Sequence, residues 1–159
     1  MEPTAPLATP LMLDALSRWA PVVWLKADPY AYPTLEIVHL VGIALVFGTL
    51  WVVDLAIFGK LRFVDVNLLA RSVLPWTLTG FLFAAASGMA MFMSDVRDLI
   101  ANPAFVLKMG LLCVAGTNAA VLHARGPIDP RSLVTRWQAG VSILVWTAVI
   151  SCGRWIGYL

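Results

Sequence analysis

The chain has 159 residues, 60% of them hydrophobic and 13% charged, with a mean hydropathy of +0.85; ordinary soluble domains carry about 25% charged residues. That balance excludes a water-soluble main body and leaves no polar stretch long enough to fold as a second domain. A formal net charge of +2 without a dense Lys/Arg run excludes nucleic acid as a partner, so the basic residues are read for membrane topology instead.

Within residues 11–26, Leu13, Leu16, Trp19, Ala20 and Val23 recur at helical spacing, with Asp14 and Arg18 four apart on the other side. The pattern predicts a short interfacial helix lying on the bilayer. Pro21 is expected to end or kink it. Asp28, Pro29, Tyr30, Tyr32 and Pro33 should then form an extended approach that holds the tyrosines at headgroup level. The N-terminus lacks the basic start, compact apolar core and small-residue cleavage site of a secretory signal, so no removable leader is expected.

Span one is expected over about 34–59, long enough for the ~20 residues a helix needs to cross ~30 Å of hydrocarbon. Lys60 and Arg62 close it. Span two, about 72–93, carries Gly80, Ala84 and Gly88 at four-residue intervals, a face on which another helix can approach closely. Span three, about 104–123, follows Asn102-Pro103 and repeats the device with Ala115 and Ala119, and with Gly116 and Ala120 on the next row. Span four, about 137–156, has Trp137 and Trp155 near its two ends as interface anchors. Short connectors make the neighbours antiparallel. The expectation is one all-α membrane domain over residues 1–159, an antiparallel four-helix bundle with a short N-terminal interfacial helix. Cys113 and Cys152 sit in apolar runs and read as small buried hydrophobes.

Lys60, Arg62 and Arg71 after span one, with Arg125, Arg131 and Arg136 after span three, put six basic residues on one side. By the positive-inside rule that side is cytoplasmic, which would place both termini in the periplasm of a bacterial inner membrane.

The ionisable residues inside the spans carry the functional expectation, because each costs at least ~2.5–3.5 kcal/mol on insertion scales. His39 and Lys108 both lie roughly 6–8 Å below the outer ends of their spans, at the same depth. His123 lies roughly 22 Å deeper than Lys108, so His39 and His123 of one chain cannot grip one macrocycle from opposite faces. Glu36 suits the first turn of its helix. Asp54 and His123 sit near the cytoplasmic ends, where pairing with Lys60, Arg125 or one another would account for them. Met89 and Met93 share a face of span two, with Met91 pointing away, and Arg154 is one turn from the outer end of span four. The outer half thus collects Glu36, His39, Met89, Met93, Lys108 and Arg154. Gly42 and Ala115 leave room there for a flat macrocycle or a close helix crossing.

The HLVG start of span one around His39, and the Pro-Ala-Phe-Val-Leu-Lys opening of span three leading to His123, resemble the small four-span haem-binding proteins of the HemJ-type protoporphyrinogen oxidase class. The broader copper-resistance protein D superfamily is similar too. The HemJ resemblance implies a b-type haem and, matched by position, a functional requirement for His39 and Lys108. The VVDLAIFGKLR segment departs from that class. Over nearly its whole length, through YPTLEIVHLVG and the VVDL-type first span, the chain is similar to an uncharacterised bacterial family of four-span proteins, which implies no activity.

Three functions follow from these residues. In the first, His39 is an axial ligand of haem b, with Met89, Met93 or Lys108 in the sixth position and Arg154 or Lys108 pairing with propionates, for electron transfer with a quinone or porphyrin. In the second, His39 with Met89 and Met93 handles copper, imidazole and thioether being ligands suited to Cu(I). In the third, the buried charges pair with a partner chain and the protein is a non-catalytic subunit of a larger membrane complex. Catalytic residues are unassigned, and a cofactor shared across a homodimer stays open.

Overall fold

The computed structural model describes residues 18–61 and 63–159. Residues 11–17 of the expected interfacial helix, and Arg62, lie outside them. The described part of that helix is α1 (Ala20–Ala27), with Val22 and Leu25 buried on one side and Trp24 exposed on the other. Pro21 begins this helix instead of ending it. Its missing N–H is one the first turn leaves unpaired anyway, and its fixed φ suits that position.

The same physics corrects the next boundary. Asp28 is extended and Pro29 and Tyr30 form a tight turn, but Tyr32 and Pro33 belong to the first turn of α2 (Ala31–Ile57), so the extended approach is shorter than expected. α3 (Val66–Ser94) starts six residues before the expected 72, because Asp65 caps it: the carboxylate accepts from the Leu68 N–H at 2.9 Å. A helix of 29 residues is roughly 43 Å long, more than the ~30 Å of hydrocarbon. The excess is taken up by tilt or by turns that stand beyond the apolar layer. Pro75 lies within α3 and removes the bond that the Arg71 carbonyl would accept.

A short helix, α4 (Val96–Ala101), was not expected from the sequence. α5 (Pro103–Ala124) begins where anticipated, with Asn102 accepting from the Ala104 and Phe105 N–H groups at 2.9 and 3.3 Å and Pro103 in the first turn. α6 (Leu133–Trp155) starts four residues before the expected 137. Gly59 (φ 75°) and Gly126 (φ 86°) follow the ends of α2 and α5 in the left-handed conformation that stops a helix. Among the described residues there is no strand, and four helices are long and apolar enough to cross a membrane.

The four long helices alternate in direction and pack as neighbours in the order α3, α2, α6, α5, with α2 against α3 the most extensive contact. α3 and α5 have no extensive backbone packing on one another among the described residues; their ends meet where the Phe92 and Phe105 rings stack with centroids 5.3 Å apart. α2 is the hub, with 33% of its apolar window buried against 6% for α5.

The main apolar core sits at the end that carries the basic connectors. Val53, Ala56 and Ile57 of α2, Val66 of α3, Ile128 of the α5–α6 connector and Ala139 of α6 are buried together there, with Leu122 of α5 packed alongside. Asn67 clasps this end: its amide donates to the Ile128 carbonyl at 3.0 Å and its carbonyl accepts the Ile128 N–H at 2.8 Å. At the outer end Asn102 donates to the Ile156 carbonyl at 3.1 Å, and Lys26 pairs with Asp95 at 3.3 Å.

Candidate functional site: His39 and Lys108 in the outer half

The site is positioned by a crossing of α2 over α3 at which the backbones touch. A Cβ on Gly42 would stand 2.6 Å from the Ala84 nitrogen and 2.7 Å from the Gly80 carbonyl oxygen, and one on Gly80 would meet the Gly42 carbonyl oxygen at 2.8 Å. Only hydrogen fits at either position. Of the two uses expected for Gly42, the structure shows the close crossing. Thr49 and Thr77 bridge the same two helices deeper down, hydroxyl to hydroxyl at 2.8 Å.

One turn above the crossing, His39 reaches across to α3. Its Nδ1 is 2.8 Å from the Ala84 carbonyl oxygen and 3.1 Å from Ser87 Oγ. A carbonyl oxygen can only accept, so in the neutral ring Nδ1 carries the proton. The Ser87 hydroxyl hydrogen is already given to the Phe83 carbonyl at 2.5 Å, so Ser87 offers Nδ1–H a second acceptor. Nε2 keeps its lone pair and makes no hydrogen bond among the described residues. Gly88 lets the ring lie against α3: a Cβ there would stand 3.0 Å from the His39 Cε1.

Lys108 enters the same interior from α5, half-buried. Its Nζ packs over Gly153 of α6, 3.5 Å from where a Cβ would be, with Cys152 close by. The charge on Lys108 lies within electrostatic reach of the His39 ring. The one carboxylate–cation pair found among the described residues is Lys26–Asp95, so Lys108 faces no carboxylate at ion-pair distance there.

The other expected members of the layer lie elsewhere. Met89 is 56% exposed on the outward side of α3. Met93 lines an apolar groove of about 480 Å³ beneath α1, between Leu25, Leu35 and Ala90. Glu36 is exposed. Arg154 is exposed as well and donates to the Tyr158 hydroxyl at 2.6 Å, its guanidinium 5.0 Å from that ring's centroid. No group of three or more His, Cys, Asp or Glu side chains placed to hold a metal ion occurs among the described residues.

At the opposite end the expected pairing of Asp54 with Lys60, Arg125 or His123 is not formed. Asp54 is buried while those three side chains are exposed, and His123 bonds back to the Ala119 carbonyl at 2.9 Å. Ser87 was missed by the sequence reading. It falls on the Gly80, Ala84 stripe at position i+7, and that spacing was the signal available for it.

Of the donors here, only the His39 imidazole could be offered to a metal or cofactor within this layer. Its Nε2 makes no hydrogen bond among the described residues, Lys108 has no carboxylate at ion-pair distance there, and the two methionines do not converge on the ring. These features define a multi-span helical membrane protein carrying a histidine and a lysine inside its bilayer region. Residues 26–159 match the model of a family of unknown function, DUF6644, and the chain belongs to that family. No curated protein and no solved structure matches it.

Proposed function

We propose that the protein binds one b-type haem in the outer half of the bundle, with His39 as its axial ligand. The observation that carries this reading is the tie between Nδ1–H and the Ala84 carbonyl. Such a bond selects the tautomer, orients the ring and strengthens Nε2 as a donor, the arrangement expected of a ligating histidine. Bound haem supplies one-electron chemistry through its iron. Lys108 would balance a propionate of the bound group, and Ser87 and Gly88 would keep the imidazole plane from turning. The lightly packed α3/α5 side would give a flat apolar molecule a way in from the lipid below the stacked Phe92 and Phe105 rings. A quinone or porphyrin arriving by that route is the electron partner proposed. A copper site has less behind it, since Met89 and Met93 point away from the imidazole.

The proposed setting is a bacterial inner membrane with the Lys60/Arg71 and Arg125/Arg131/Arg136 connectors cytoplasmic and both termini periplasmic. An alkaline phosphatase fused after Leu159 should then be active, and an inactive fusion reverses the topology.

The decisive measurement is an absorption spectrum of protein purified in detergent after expression with haem supplied. A Soret band that sharpens with dithionite is expected in wild type, retained in Met89→Leu and Met93→Leu, and lost in His39→Ala. A wild-type protein without that band ends the haem reading.

A further inference from the structure

Fifteen residues along α2 from His39, and independent of the haem reading, a buried carboxyl keeps one oxygen without a partner among the described residues. Asp54 is 4% exposed, and its Oδ2 is sealed from solvent with no hydrogen bond. The polar group beside the carboxyl is the hydroxyl of Ser142 on α6, itself a buried residue. Apolar contacts of Val53, Ala56, Ile57 and Ala139 make up the adjoining core. Buried acceptors are nearly always hydrogen-bonded, and a carboxylate in such a place requires a counter-charge.

Among the described residues, the elements packed around α2 do not supply one; Arg131 of the α5–α6 connector is exposed. On α3, Arg71 is exposed. At the end of α5, Arg125 donates to the Gln138 side chain at 2.9 Å and His123 bonds to its own helix. On α6, Arg136 lies over the Phe58 ring, 5.9 Å from its centroid. Lys26 of α1 is paired with Asp95, and Lys60, just past α2, is exposed.

We infer that Asp54 and Ser142 form an exchangeable site for a small monovalent cation, a proton or a sodium ion, between α2 and α6 near the basic end of the bundle. Both candidates meet the same need: positive charge delivered to Oδ2 without a side chain. A buried carboxyl without a counter-charge is neutralised by taking up a proton or another small cation.

The test is thermal unfolding, followed by circular dichroism in detergent, of wild type, Asp54→Asn, Ser142→Ala and Arg62→Gln. Each is measured at acid, neutral and alkaline pH, in sodium chloride and in N-methylglucamine chloride. The wild-type midpoint is expected to move with pH at fixed sodium if the proton is the ligand, or with sodium at fixed pH if sodium is. That movement should vanish in Asp54→Asn, shrink in Ser142→Ala and persist in Arg62→Gln. The inference is overturned if wild type responds to neither, if Asp54→Asn responds as wild type does, or if Arg62→Gln abolishes the response and so identifies the counter-charge as Arg62. Should Asp54→Asn not fold, infrared spectra of wild type decide. An acid carbonyl band that shifts in D₂O, or a carboxylate band that differs between sodium and N-methylglucamine, upholds the site, and the absence of both overturns it.

Discussion

A single methyl group added at Gly42 has nowhere to go, because its nearest neighbours are the backbone of Ala84 and Gly80, not the tip of a flexible side chain. Gly42→Ala should therefore destabilise the fold by about 1–3 kcal/mol, the usual cost of overpacking, and displace His39 with it. Gly140→Ala is the control, since its methyl would meet only Phe58 at 3.9 Å, an ordinary contact. Unfolding by SDS titration separates the two. Gly88→Ala acts more locally: the methyl crowds the imidazole at 3.0 Å, so under the haem proposal the Soret band should weaken while helical content stays at the wild-type level. His39 and Lys108 were legible in the sequence because an ionisable residue stands out in an apolar run. Ser87 and the Ser142 hydroxyl beside Asp54 were not, because a side chain's partner on another helix depends on which faces meet.

Helix ends are decided by hydrogen bonds, not by polarity, and here the two diverge. The expected spans followed the apolar runs, whereas α3 and α6 each extend a turn or more into polar connectors. Asp65→Ala should remove the cap of α3 at a cost of about 1 kcal/mol, seen as faster amide exchange over residues 66–69 with little change deeper in the helix. Asn67→Ala should be worse. It leaves both the N–H and the carbonyl of Ile128 without their partner, and each stranded buried group costs about 1–3 kcal/mol. Pro21 and Pro33 show why proline was misread: it breaks a helix interior but is at ease in a first turn, and only the location of that turn distinguishes the cases.

For the whole molecule, the order α3, α2, α6, α5 concentrates the apolar core at the basic end and leaves α5 the least covered helix. Cys113 lies on that helix and is exposed, while Cys152 on α6 is half-buried near Lys108. A lipid-soluble maleimide should alkylate Cys113 well before Cys152, with mass spectrometry of the intact protein followed by digestion as the readout; equal rates would mean that α5 is covered in the membrane.

Composition and the lengths of four apolar runs were enough to determine an all-helical protein crossing the membrane four times, because hydrocarbon tolerates no unpaired backbone and thereby allows little else. Those same runs are apolar all round, so they carry almost no information about which face turns inward. That choice was made by the Gly42, Gly80 and Ala84 crossing. By bringing two backbones into contact it tied one nitrogen of His39 to a carbonyl and left the other without a hydrogen bond among the described residues.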